Sequence, residues 1–181
     1  MDGGITTVRQ DVGRDRLGKV ARGLSSEYRI PTSLGNFLAA FEGGKLVALR
    51  LPGSWRRKKK PTVLKAQEGS PGKTLLRELA RYLQGKPVKF TVPIAPEGTP
   101  FRKKIWKAMR AIPWGKTATY GQLAKKAGSP GATRAAGTSC GANQIIIVNP
   151  CHRVVASNGI GGFGAGLAWK RRLLRLEGHE V

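Results

Sequence analysis

Of the two cysteines and two histidines in this chain, one of each stands side by side, Cys151 and His152. A thiol next to an imidazole is the pairing a covalent nucleophile needs, the thiolate attacking while the histidine handles its proton. Neighbours on a regular strand point to opposite faces, so the two side chains converge only if the chain turns between them. Asn149-Pro150, immediately before, supplies a turn. The apolar run 145–148 reads as a buried strand, which places the thiol just past a strand end. The local pattern alone is matched about equally well by a cysteine that is merely a small buried hydrophobe. A Cys-His nucleophile also wants a third group to orient the imidazole. No Asp or Glu lies between Glu97 and Glu177, so Glu177 and Glu180 are the only carboxylates of the C-terminal half that could serve. The basic surroundings are expected to depress the thiol pKa and favour the thiolate.

Elements that would carry these groups are visible on both sides. Phe101, Ile105, Trp106, Met109 and Ile112 form one apolar helix face, ended by Pro113. Thr119 is an N-cap for a helix over 120–127. Gly128-Ser129-Pro130-Gly131 makes a turn, and a second helix runs over 132–140 to Gly141. Two short helices across a Gly-containing turn are the helix-turn-helix pattern. The second helix is built from small residues, with Arg134 its one long side chain. Such a helix either packs closely on a neighbour or approaches a DNA groove closely, and it lacks the long polar side chains that read bases in the major groove.

The N-terminal half is less explicit. Residues 1–27 show little periodicity and read as an extension. Residues 28–51 look like strands, with turns at Ser33-Leu34-Gly35-Asn36 and Glu42-Gly43-Gly44. Trp55 precedes five consecutive basic residues, either a solvated loop or a phosphate-contacting patch. Leu75, Leu76, Leu79 and Leu83 have helical spacing with Gly85 as a stop. Residues 87–92 could be another strand, and 93–100 reads as a linker.

The charge balance points to a partner. With 33 Lys and Arg against 10 Asp and Glu, the formal net charge is +23. That favours nucleic acid first and an acidic membrane surface second. No apolar window is long enough for a membrane span, and the N-terminus lacks a secretory core. Two cysteines make no disulfide framework, so a reducing intracellular setting is expected. The cysteines and histidines form no zinc spacing.

Pro150-Cys151-His152-Arg153-Val154 resembles the acceptor signature of the alkylguanine-DNA alkyltransferases, which repair guanine alkylated at O6. Ile112-Pro113-Trp114-Gly115-Lys116, Thr119-Tyr120, Arg134-Ala135-Ala136-Gly137, Asn143 and the stretch 174–178 match the family in order and spacing. The resemblance is strong over about 94–178 and loose over 28–93. It implies an α+β protein: the extension 1–27, a ribonuclease-H-like sheet and helix domain over 28–93, and a mostly helical, winged-helix-like helix-turn-helix domain over 94–181. It implies a suicidal reaction, in which Cys151 takes the alkyl group of a flipped-out guanine as a thioether that water cannot cleave. His152 would accept the thiol proton through a water, Glu177 orient His152, Asn143 brace the turn and Tyr120 assist the leaving base. Arg134 would fill the gap left by the flipped nucleotide, with Thr119, Tyr120, Ala135, Ala136 and Gly137 along the DNA. Val154, Gly161, Phe163 and Gly164 would line the base pocket.

No metal or cofactor is implied, and the partner is double-stranded DNA carrying O6-alkylguanine, met by a cytoplasmic monomer. Some relatives hold a structural zinc in the N-terminal domain, but this chain has no Cys or His before Cys140. Three positions depart from the family: Asn149 replaces an aliphatic residue, Phe163 a common Tyr and Gly164 a common Ser. The rival reading is a binding protein that recognises the alkyl lesion without transferring anything; a cysteine hydrolase is a more distant one.

Overall fold

A computed structural model describes residues 26–54 and 62–181. The expected extension up to residue 25 and the basic run after Trp55 lie outside the described residues. The remainder is a mixed α+β fold with a sheet and five helices.

Strands β1 (Ser26–Thr32), β2 (Gly35–Glu42), β3 (Lys45–Arg50) and β4 (Thr62–Val63) form a sheet in the order β3-β2-β1-β4. β1 and β2 pair antiparallel from Ser26↔Phe41 to Thr32↔Gly35, and β4 adds to β1 in parallel. Gly43 and Gly44 join β2 to β3 with φ of 53° and 74°, the two positive values that a two-residue hairpin of type I′ requires. Both faces of β2 are covered: Phe37 and Ala39 face the main core, while Ala40 packs with Val47 and Ala48 on the other side.

Helix α1 (Pro71–Leu83) starts where the Ser70 hydroxyl accepts from Lys73 N, with proline in the first turn, a position where its missing N–H is no loss. It buries Leu75, Leu79 and Tyr82 against the sheet. The expected strand over 87–92 is not there. That segment has no regular secondary structure; the buried carboxylate of Glu78 takes the backbone N–H groups of Thr91 and Val92 that a neighbouring strand would otherwise engage. Just beyond it, Leu46 N donates to Pro93 O and Ala95 N to Leu46 O, so the linker stretch is laced to the edge of β3.

Helices α2 (Pro100–Arg110), α3 (Tyr120–Lys126) and α4 (Thr133–Gly141) surround a second core of Ile105, Trp106, Met109, Leu123 and Ala136. Trp106 Nε1 donates to Ser139 O at 2.8 Å and pins α2 to α4. Thr119 caps α3 in a reciprocal box with Gln122, satisfying two N–H groups at the helix start. Two short strands, β5 (Ala118–Thr119) and β6 (Val154–Val155), pair in parallel beneath it. Helix α5 (Leu167–Leu176) closes the chain and sends Leu173 into the first core.

The run 145–148 is mostly buried, with Ile146 half-buried, yet it is not a regular strand. It pairs once with β3, through Leu49 N to Gln144 O and Ile146 N to Leu49 O. Ile147 then adopts φ 77°, the one positive value among the described non-glycine residues, and Asn149 N bonds back to Ile145 O. A β-branched residue in that region is strained, and the kink ends any ladder before Cys151.

Candidate active site

Cys151 opens a single 3-10 turn, Cys151–Arg153, directly after the kink. The turn makes Cys151, His152 and Arg153 all buried, where a strand would have separated them. Cys151 N donates to Asn149 O at 2.8 Å. The carboxamide of Asn143 spans the turn: its Nδ2 donates to Asn149 O at 2.8 Å and to Cys151 Sγ at 3.2 Å. Its Oδ1 accepts from Ile145 N and from Asn149 Nδ2, so the amide is held with its donor edge toward sulfur. Asn149, the departure from the aliphatic residue of the family pattern, thereby becomes a second donor to Asn143.

The imidazole of His152 is fully buried. Its Nε2 lies 2.7 Å from Glu177 Oε1, and the Arg153 guanidinium grips the same carboxylate with Nε on Oε2 at 2.8 Å and Nη2 on Oε1 at 3.0 Å. Burial pushes Glu177 toward protonation, but His152 and Arg153 more than offset it and hold the pKa at about 2. An ionised acceptor at Oε1 requires the proton of the neutral ring on Nε2, which leaves a lone pair on Nδ1. Among the described residues Nδ1 has no hydrogen-bond partner. Burial lowers the His152 pKa against the pull of Glu177, so the ring rests neutral and ready to accept.

The thiol itself contradicts the sequence expectation. Burial raises the Cys151 pKa, while Asn143, Lys170 and backbone N–H groups lower it only in part. Most of the described lysines and arginines are exposed, where water screens them; desolvation at the sulfur is the stronger effect. Cys140, also buried and free, is raised to about 12 for the same reason.

Tyr120 begins α3 and directs its hydroxyl to Gly162 O at 3.4 Å. Gly161 lies against it with φ 70°; a Cβ there would sit 3.2 Å from the Tyr120 ring and 3.0 Å from Ala156 N. Val154 is fully buried, Phe163 packs against both cores and Gly164 is exposed. On α4, Thr133, Arg134, Ala135 and Thr138 are exposed. Ala136 is not on that face: it is fully buried in the α2–α3–α4 core, which corrects its placement along the DNA. A stretch of small residues serves both sides of one helix, and only the register of the packing tells them apart. Gly137 is half-buried near the Tyr120 ring, and Thr119 is occupied in the cap.

Three side chains at the site escaped the sequence reading. Lys170 is fully buried and donates to Val154 O at 2.6 Å and Gly162 O at 3.1 Å. It falls on the inward stripe Lys170, Leu173, Leu174, Glu177 of α5 and the residue after it, a spacing that could have revealed it. Arg153 lies within the sequence motif and grips the Glu177 carboxylate. Tyr82 lies on the apolar face of α1, a helix distant in sequence; its hydroxyl donates to Glu177 Oε1 at 2.9 Å. Among the described residues, no group of three or more His, Cys, Asp or Glu could hold a metal ion, and no helix is long and apolar enough to cross a membrane.

Residues 100–179 match the family model described as 6-O-methylguanine DNA methyltransferase, DNA binding domain. A methylated-DNA–protein-cysteine methyltransferase of Methanosarcina acetivorans is 48% identical over 103 residues, which span 56% of this chain and 66% of that protein, just under two thirds. The inducible enzyme of that name from Bacillus subtilis is 39% identical over 124 residues, 68% of this chain and 69% of its own length. The crystal structure of Mycobacterium tuberculosis OGT in complex with DNA superposes with a TM-score of 0.72 at 35% identity, covering 83% of this chain and 91% of that one.

Proposed function

The chain belongs to the methylated-DNA–protein-cysteine methyltransferase family, and from that premise we propose that it repairs O6-alkylguanine in double-stranded DNA by moving the alkyl group onto Cys151. The observation that carries this reading is the joined set of Cys151 Sγ under the Asn143 amide and His152 between a bare Nδ1 and the Glu177 carboxylate.

The chemistry follows from those groups. His152 Nδ1 takes the thiol proton through a bridging water, as general-base activation of a nucleophile requires. Glu177, which Arg153 helps to hold ionised, stabilises the imidazolium, and Asn143 stabilises the thiolate by donating to sulfur. The thiolate attacks the saturated carbon, the C–O bond breaks, and guanine leaves with a proton near its oxygen, assisted by the Tyr120 hydroxyl. The thioether product has no carbonyl for water to attack, so each molecule acts once. Neither a metal nor a cofactor enters any step.

Substrate access follows from burial. Cys151 is only 7% exposed, so an alkyl group on a base stacked in a duplex cannot reach it; the nucleotide must swing out at a cost of a few kcal/mol. Arg134, the exposed long side chain of α4, takes its place in the stack. Gly161, Phe163, Gly164 and Val154 line the pocket that receives the base. The helix-turn-helix and its wing-like β5–β6 pair form the DNA-binding unit over 94–181, and the ribonuclease-H-like unit over 28–93 backs it. The protein acts as a cytoplasmic monomer.

Intact-protein mass after incubation with a duplex carrying one O6-methylguanine tests the reading. A gain of one methylene, at one equivalent and absent from Cys151→Ala, is expected. Tight lesion binding without a mass change would instead make this a recognition protein.

A further inference from the structure

The acceptor site receives one group from outside the matched residues 100–179. Tyr82, on α1, is fully buried, and its hydroxyl stands 2.9 Å from Glu177 Oε1 and 3.2 Å from His152 Nε2. Its ring is clamped edge-on by Trp114 at 5.3 Å and tilted against Phe90 at 5.9 Å. Glu177 does not need this contact, since Oε1 already accepts from His152 and Arg153, and Oε2 from Arg153. A phenylalanine would fill the same space without the cost of burying a hydroxyl.

We propose that Tyr82 is a positioning residue for alkyl transfer, its hydroxyl fixing the His152 ring with the proton on Nε2 and stabilising the imidazolium formed when Nδ1 takes the Cys151 proton. This rests on the reading of Cys151 as the alkyl acceptor. In the relay the S–H bond breaks and an Nδ1–H bond forms, turning a neutral pair into thiolate and imidazolium. The Nε2–H then faces two acceptors, Glu177 Oε1 and the Tyr82 oxygen. The Tyr82 proton stays on its own oxygen, because burial and the neighbouring Glu177 raise that pKa well above the ordinary 10.

Besides Tyr120 at the start of α3, which interacts electrostatically with Cys151, the other titratable groups near the relay are spread over several elements. Arg153 belongs to the 3-10 turn and Lys170 to α5, and Cys140 on α4 is coupled to Cys151. On α1 itself, Glu78 is tied to Thr91 and Val92, and Arg81 is exposed. Arg153 holds the carboxylate whether or not Tyr82 is present, so Tyr82→Phe removes one of the two acceptors of Nε2–H and leaves Glu177 in place. The ion pair then forms less readily, and Cys151 should need a higher pH to react.

The test is the pH profile of Cys151 carboxamidomethylation by iodoacetamide in the full chain, followed by peptide mass spectrometry, for wild type and Tyr82→Phe. The midpoint should rise by roughly half a pH unit, a threefold loss of thiolate at fixed pH, with thermal unfolding little changed. A folded variant with an unmoved midpoint overturns the proposal. So does a wild-type 15N imidazole spectrum placing the His152 proton on Nδ1, a reading independent of how the variant folds. Wild-type protein that reacts with iodoacetamide but takes no methyl from DNA would sink the alkyl-acceptor function instead, leaving the relay assignment to the two other results.

Discussion

Arg153 and Glu177 meet through two parallel hydrogen bonds, Nε to Oε2 at 2.8 Å and Nη2 to Oε1 at 3.0 Å, both side chains almost wholly removed from water. The fork joins the 3-10 turn of Cys151 to the end of α5. Arg153 also donates to Ile112 O at 2.7 Å, so one guanidinium ties three segments together. Glu177→Gln leaves Arg153 buried without a counter-charge, a defect that costs about 3–5 kcal/mol in comparable buried pairs. Urea unfolding of the variant should show that loss, and methyl transfer should fall with it. A variant as stable as wild type would mean that the fork adds nothing net.

The same carboxylate gives stability a defined acid limit. Its pKa is depressed from 4.5 to about 2 in the folded state, so the unfolded chain binds the proton first as pH falls. The stabilisation is complete above pH 4.5 and is lost as pH drops toward about 2, amounting to about 3 kcal/mol across the window. His152, also lowered when folded, adds a loss that begins as pH falls through about 6.5. Unfolding free energy measured against pH should decline in these two stages. Glu177→Gln should flatten the lower one.

Gly161 offers a way to disturb the proposed base pocket without touching Cys151. Its φ of 70° and the 3.0–3.2 Å clearances to Ala156 N and Tyr120 leave no room for a methyl. Gly161→Ala should cost about 1–3 kcal/mol and push the Tyr120 hydroxyl off its position. Methyl transfer from DNA should slow by about tenfold or more, since small misplacements of reacting groups are expensive. Cys151 alkylation by iodoacetamide, which needs no base pocket, should stay close to wild type. Equal slowing of both reactions would place the damage at the thiol.

What was legible in the chain was whatever local chemistry determines. The Thr119 cap, the apolar face of α2, the Gly43-Gly44 turn and the α1 stripe all follow from spacing and turn residues, and all are present. The Cys-His adjacency and the single stretch without carboxylates before Glu177 pointed to the cluster that the fold assembles. Illegible were features set by long-range packing. The strain at Ile147 replaces the expected strand with a kink, and Glu78 replaces another with side-chain caps. Tyr82 reaches Glu177 across 95 positions, which no local pattern reports. The sign of the Cys151 shift is set by burial, which net charge does not report.

Lys170 tests how far a buried cation holds the pocket wall. Its ammonium is the donor to Val154 O and Gly162 O, carbonyls on the segments flanking the proposed base pocket. Lys170→Met keeps the length of the side chain but strands both acceptors, at about 1–3 kcal/mol each. Thermal unfolding should fall accordingly, whereas Arg171→Met, at an exposed neighbour, should change stability by no more than about 0.5 kcal/mol. If the two variants unfold alike, water replaces the lysine without loss.

Arg134 separates two ways a basic side chain can serve DNA repair. It is exposed on α4, so Arg134→Ala should leave stability within about 0.5 kcal/mol. As a wedge replacing the flipped nucleotide, it offsets an unstacking cost that exists only in a duplex. Methyl transfer from duplex DNA should therefore slow by about tenfold or more, while transfer from a single strand carrying the same lesion should change little. A phosphate contact behaves differently: its removal weakens binding to every sequence and lowers the salt slope of affinity by about one. With a formal net charge of +23, many other side chains can meet phosphates, so losing one contact should be nearly invisible against that background. A variant that loses duplex and single-strand transfer equally, with a shallower salt slope, would reduce Arg134 to one phosphate contact among many and leave the extrahelical nucleotide to be held by the pocket alone.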